Sequence, residues 1–272
     1  MPPAMTAEIR YLDDDTLEFY RDAMSLMEAG GLEFLVGGAY AFAQYTGIFR
    51  HTKDFDVFIR RGDFDRAEEI FRRAGYKTEL TFPHWIGKAF KGDDFVDLIF
   101  SAGNGVAEVD DLWFARAVPG TVFGNEVKLI PPEEMIWSKG LIMERERFDG
   151  ADVAHLINCA GDSFDWRHLI TRYGRYWRVL YAHLILYGFI YSSDRSKVPR
   201  WVMDLLANQL AADSERDDAH DKTCYGTILS RQQYLVDVNE RGYKDARLEP
   251  LGNMSEEEIA KWTAGIEVDG AN

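Results

Sequence analysis

The stretch VGGAYAFAQYTGIFRHTKDFDVFI, residues 36–59, places a glycine pair ahead of a helix-forming run and then sets Asp54 and Asp56 on either side of Phe55. FDVFI reads as a buried strand, because aromatic and β-branched residues dominate it. On a strand, residues i and i+2 project from one face, so Asp54 and Asp56 point the same way. Taken alone, the stretch admits two readings: a solvated strand after an ordinary loop, or a site for metal ions and phosphate. Two carboxylates on one face repel each other unless something positive stands between them, and hard oxygen ligands of this kind suit Mg²⁺. Gly37 and Gly38 precede a helix, where backbone N–H groups reach a triphosphate without side-chain obstruction and the dipole favours anions.

Working outward, residues 15–30 carry Leu17, Tyr20, Met24 and Met27 at helical spacing and stop at Gly30-Gly31. Residues 33–36 read as a short strand, AYAFAQYTG as a helix, and DFDRAEEIFRRAG as a helix capped by Asp63 and closed at Gly75. YKTEL, WIGKAF, FVDLIF and EVKLI read as strands, with KGDD as a hairpin turn and PPEE opening a further helix. Asp97 is the charged residue inside FVDLIF, and a carboxylate embedded in so apolar a strand marks a site. Lys88 and Lys91 flank the hairpin and read as surface charges within reach of phosphate, and His51 as a loop histidine.

Past residue 160 the strand signals fade. WRHLITRYGRYWRVLYAHLILYGFIY is helical in period with Gly174 and Gly188 as weak points. Its aromatics Tyr173, Tyr176, Trp177, Tyr181, Tyr187, Phe189 and Tyr191 read mostly as core. PRWVMDLLANQLAA is an amphipathic helix, SERDDAHDK a charged loop, and YGTILSRQQYLVDVNERGYKDAR a helix broken at Gly242. The expected organisation is a sheet-bearing domain over 1–160, a helical C-terminal region over 161–250, and a polar tail over 251–272 with one helix, SEEEIAKWTAG.

Composition bounds the function. Of 272 residues, 46% are hydrophobic and 28% charged, which is ordinary for a globular chain and excludes disorder. No apolar run approaches the roughly 18–20 residues of a membrane span, and MPPAMTAEIRYLDDD has no pattern of a secretory leader. Cys159 and Cys224 lack CxxC spacing and read as incidental thiols of a cytoplasmic protein. A net charge of −15 repels nucleic acid at long range, so DNA is not an expected partner, while cationic acceptors are attracted. Residues 163–201 are locally basic: Arg167, Arg172, Arg175, Arg178, Arg195, Lys197 and Arg200 stand against Asp165 and Asp194. That strip is a candidate surface for an anionic acceptor.

GG at 37–38, TKDFDVFI at 52–59 and VDLIF at 96–100 together resemble the nucleotidyltransferase superfamily, whose pattern is hG[GS], a helix, Dh[DE]h, and a later strand with a third acidic residue. The GG opening and its spacing to Asp54 are most similar to the aminoglycoside and lincosamide nucleotidyltransferases and related uncharacterised bacterial proteins. Position 38 is Gly where many members carry Ser, so a hydroxyl contact to phosphate is absent. The resemblance spans 30–160 and implies an α+β fold, a mixed polymerase beta-like sheet with helices, followed by the helical region. It implies an enzyme that moves a nucleoside monophosphate from an NTP to an acceptor hydroxyl of a small molecule, tRNA or protein, releasing pyrophosphate. Asp54, Asp56 and Asp97 would hold Mg²⁺ (two ions), with Asp97 also placed as general base. Gly37, Gly38 and Lys139 would bind the nucleotide, Lys139 belonging to a stretch with Arg145, Arg147, Asp149 and Asp152 that closes the nucleotide domain in many members; for the arginines, a solvated helix face with paired charges is an equal reading. The competing class is a non-catalytic binding module, such as half of a toxin–antitoxin pair, and three retained carboxylates weigh against it.

Overall fold

Strand β2 (Phe55–Phe58) lies between a parallel neighbour, β5 (Asp94–Ile99), and an antiparallel one, β1 (Leu35–Val36). These strands belong to a computed structural model that describes residues 12–50, 52–214 and 222–265; His51 lies outside the described residues, as does most of the SERDDAHDK loop. The chain divides into two compact units, Met1–Pro131 and Pro132–Asn272. The division falls ahead of residue 160, where the strand signals in the sequence fade.

The first unit holds a seven-stranded mixed sheet in the order β3-β4-β5-β2-β1-β7-β6. Here β3 is Lys77–Phe82, β4 Ile86–Lys91, β6 Val118–Val122 and β7 Asn125–Leu129. Helices α1 (Asp14–Ala29), α2 (Gly38–Thr46), α3 (Phe64–Arg73) and the short α4 (Asp111–Ala115) accompany it. The period-2 reading of FDVFI and FVDLIF holds: Phe55, Val57, Val96 and Leu98 are fully buried on one face, leaving Asp56 and Asp97 on the other. Phe55 packs against Tyr20 of α1 at 5.0 Å between ring centroids, and Tyr40 of α2 meets Phe123 at 4.7 Å. Each such side chain contributes roughly 1.5–3 kcal/mol on burial, which offsets the several kcal/mol that desolvating one carboxylate costs.

Two local expectations change. Asp63 ends a 3₁₀ turn, Arg61–Asp63, and makes no side-chain cap on α3. Strand β6 has no sequence counterpart because Pro119 and Gly120 interrupt VPGTV; its place at the sheet edge tolerates a proline.

The second unit is mainly helical: α5 (Pro132–Gly140), α6 (Gly150–Ala160), α7 (Trp166–Tyr173), α8 (Trp177–Ile190) and α9 (Arg200–Ser214). The helix that PPEE opens ends at Gly140, and α6 follows it after a turn with a Met143–Phe148 bridge. Gly174 divides α7 from α8 as expected, whereas α8 runs through Gly188. Tyr173, Trp177 and Tyr187 are core, but Phe189 is 83% exposed. Beyond α9 the single expected helix becomes two short ones, α10 (Gly226–Leu229) and α11 (Leu235–Asn239), beside a two-stranded pair, β8 (Thr223–Cys224) and β9 (Lys244–Asp245). The final helix α12 (Glu256–Ala264) starts with a capping box on Ser255 and Glu258.

A buried charge cluster ties α5 to α7. Glu134 is fully buried, and its Oε1 lies 2.7 Å from His168 Nε2 and 2.9 Å from Arg172 Nε. Burial raises the Glu134 carboxyl above its ordinary range, and His168 and Arg172 pull it back. Removing one partner of a buried pair costs about 3–5 kcal/mol, since the other charge is left uncompensated. Arg172→Glu sets a second carboxylate against the first. Urea unfolding of that variant is expected to show a stability loss of at least about 3 kcal/mol; a loss below about 1 kcal/mol would mean the cluster is solvated in solution.

Candidate functional site

The register of three strands builds the site. Asp56 of β2 pairs with Asp97 of β5, and Asp97 pairs with Lys88 of β4. Register partners on adjacent strands share a face and stand about 4.8 Å apart, so the three side chains form one row. Glu79 of β3 extends it beyond Lys88. At the other end the row meets the glycine turn, where Gly37 N–H donates to Asp56 O at 3.0 Å. Asp54 lies two residues before Asp56, exposed just ahead of β2, with its N–H donating to Thr52 Oγ1 at 3.0 Å.

The glycine pair is required by close approach. A Cβ on Gly38, which has φ +54°, would sit 1.7 Å from Asp56 Oδ2, and one on Gly37 would sit 2.2 Å from the Phe58 ring. The Asp56 carboxylate is therefore packed on the opening turn of α2. Gly37 N–H is already committed to the sheet, and Ala41 N–H closes the first α2 turn onto Gly37 O at 3.1 Å. The amides of Gly38 and Ala39 between them belong to the helix start, where the dipole is positive.

Asp97 is only 7% exposed. Lys88 Nζ lies 2.7 Å from its Oδ1 as an ion pair, and that buried oxygen accepts no directed hydrogen bond. Burial pushes the Asp97 carboxyl up, the Lys88 ammonium draws it back, and the Asp54 carboxylate adds to the rise. Tyr20, whose hydroxyl donates to Lys53 O, feels the same negative field: burial raises its phenol, and Asp94, Asp54, Asp97 and Asp56 raise it further.

Among the described residues, no three His, Cys, Asp or Glu side chains are gathered closely enough to enclose a metal ion. The donors nevertheless fit a hard divalent cation. They are carboxylates on one sheet face, and one buried oxygen lacks a directed hydrogen bond. Lys88 supplies a positive charge at the same oxygen.

Lys88 is therefore not a hairpin surface charge. It sits mid-strand, 23% exposed along its side chain, with Nζ 3.7 Å from the centroid of the Phe95 ring. The sequence carried the signal: a two-residue turn at Gly92-Asp93 pairs Lys91 with Asp94, and counting back three places sets Lys88 opposite Asp97. Lys91 is exposed near the Phe19 ring.

Lys139 belongs to the second unit. Its Nζ lies 3.1 Å from Asp149 Oδ2 and 2.8 Å from Asp152 Oδ2. Burial alone would raise Asp149, but Arg147 and Lys139 hold it below the usual carboxylate range. The basic strip is also internally committed. Arg172 meets Glu134, Arg178 meets Asp213 at 2.9 Å, Lys197 meets Asp162, and Arg200 meets Asp204 at 3.4 Å. Arg175 and Arg195 donate to Leu251 O and Gly188 O, and Arg167 lies over the Trp201 ring. Four of these cations therefore face a carboxylate, while Arg167, Arg175, Arg178, Arg195 and Arg200 stay exposed.

A mixed sheet with a glycine turn, an Asp56–Asp97 pair and a helical C-terminal region defines a nucleotidyltransferase-like α+β protein. A family of uncharacterised nucleotidyltransferases matches residues 24–187, more than half of the chain, and the chain belongs to that family. No curated protein matches it. Among solved structures, an antigenic nucleotidyltransferase-like protein from Paracoccidioides brasiliensis is 18% identical, over 69% of this chain and 95% of that one, with a TM-score of 0.42. The antibiotic-resistance factor ANT(2'')-Ia is 16% identical over 75% and 97%, with a TM-score of 0.37. The lincomycin-bound lincosamide antibiotic adenylyltransferase LnuA is 15% identical over 54% and 98%, with a TM-score of 0.38.

Gly38→Ala tests the close approach at the glycine turn. It forces both a left-handed backbone on a Cβ-bearing residue and an overlap with the Asp56 carboxylate. Thermal and urea unfolding are expected to show a loss of about 1–3 kcal/mol. An unchanged midpoint would mean that the turn relaxes and Asp56 is not held there.

Proposed function

We propose that the chain is a Mg²⁺-dependent nucleotidyltransferase that moves a nucleoside monophosphate from an NTP to an acceptor hydroxyl. The observation that carries this reading is the in-register pair of Asp56 and Asp97, packed against the glycine turn at Gly38. Asp54, Asp56 and Asp97 would hold the ions, which when bound neutralise the triphosphate and stabilise the departing pyrophosphate. The α2 start after Gly37 would receive phosphate oxygens through the Gly38 and Ala39 amides and the helix dipole. Asp97 takes the acceptor proton as the hydroxyl oxygen bonds to the α-phosphorus. The bond from that phosphorus to the bridging oxygen breaks, and its electron pair leaves with pyrophosphate. Burial suits Asp97 to the role of base, since it raises the carboxyl toward the range in which a proton is accepted and held.

The net charge of −15 favours a cationic acceptor. The test is incubation with each labelled NTP and Mg²⁺, offering an aminoglycoside panel, lysate protein and total tRNA in parallel, with pyrophosphate release as readout. Labelled acceptor is expected with Mg²⁺ and not with EDTA. Asp56→Asn and Asp97→Asn are expected to lose at least about 10²-fold in rate while circular dichroism stays unchanged. Activity that survives both substitutions would defeat the assignment.

A further inference from the structure

Lys88 has no role in the scheme above, yet it stands in the same row as the carboxylates. Its Nζ is 2.7 Å from Asp97 Oδ1 and 3.7 Å from the centroid of the Phe95 ring. An ammonium and a divalent cation compete for one carboxylate oxygen, and the divalent cation repels the ammonium it displaces. A displaced lysine needs another anion. The group that arrives with the metal in this reaction is a triphosphate, whose oxygens accept charge-assisted hydrogen bonds. The flexible four-carbon stem lets the head move while the residue stays in β4 beside Asp97.

Resting on the proposed transfer reaction, we propose that Lys88 is a phosphate-binding residue, stored on Asp97 in the nucleotide-free chain and transferred to a phosphate oxygen of the nucleotide when a divalent cation takes Asp97. Metal alone then binds weakly, because it strands an ammonium. Metal and nucleotide favour each other's binding, because the nucleotide receives it.

The test measures Mn²⁺ alone by the paramagnetic resonance of the free ion, and the four α,β-methylene nucleoside triphosphates with Mn²⁺ by calorimetry. In Lys88→Gln, Mn²⁺ alone is expected to bind about tenfold more tightly and the preferred analogue about tenfold more weakly. Lys88→Arg, which keeps the charge, is expected to hold the analogue within about threefold of the wild-type affinity. On the wild-type chain, acetic anhydride labelling read by mass spectrometry gives a second measurement independent of any variant. Lys88 is expected to be protected without ligand, labelled with Mn²⁺ alone, and protected again with Mn²⁺ and analogue. If the wild type binds metal and analogue but Lys88→Gln changes neither affinity, or Mn²⁺ leaves the labelling unchanged, this inference fails alone. If the wild type binds neither ligand, the transfer reading fails and takes this one with it.

Discussion

The parallel pairing of β2 with β5 is the constraint on which the site depends. Parallel neighbours cannot be joined by a hairpin, so the chain between them must cross over. Here the crossover consists of α3 and the β3–β4 hairpin, and the hairpin returns into β5 from its far side. One connection therefore sets Asp56 beside Asp97 and also brings β4, with Lys88, to the other flank of Asp97. A one-residue slip in either register would turn the carboxylates into the apolar face. Phe55, Val57, Val96 and Leu98 forbid that slip, because they would have to turn out to the polar side.

The second dependence is steric. Asp56 is half-buried, and its Oδ2 occupies the space that a side chain at position 38 would need. A carboxylate this near the positive end of a helix is favoured electrostatically. The same contact explains why glycine, and not only a small residue, stands there: serine would bring a Cβ into the carboxylate. The hydroxyl seen at this position in many nucleotidyltransferases is thus excluded by packing in this chain.

Much of this was legible in the sequence, for reasons tied to particular residues. Alternation in FDVFI and FVDLIF separates core from polar positions, and Asp97 stands out because its neighbours are all apolar. The glycine pair and the helix after it follow from local backbone preference. Lys88 lies close to a turn in sequence, but strand register decides which face a residue shares and sets it opposite Asp97. The partners of the 163–201 arginines were not legible. Glu134, Asp213 and Leu251 lie dozens of residues away from Arg172, Arg178 and Arg175, and no local pattern discloses such pairings. The break at Gly174 was visible, but the exposure of Phe189 was not, since helical spacing marks a face without saying what covers it.

Two lysines near carboxylates invite comparison, and their surroundings separate them. Lys139 is held by two carboxylates at 2.8 and 3.1 Å, and Arg147 shares one of them. Freeing it would leave Asp152, 5% exposed along its side chain, without that ammonium. Coulomb attraction scales with the number of partners and inversely with distance, so this ammonium is anchored as a structural charge. Among the described residues Lys88 has one carboxylate partner and more solvent exposure, and the ring under its head carries no net charge to hold it. Losing Lys88 leaves Asp97 uncompensated only until another cation arrives, and Asp97 lies in the one row where Asp56 stands in register to share that cation. The arithmetic of charge therefore makes Lys139 a fixture and Lys88 a movable counter-ion.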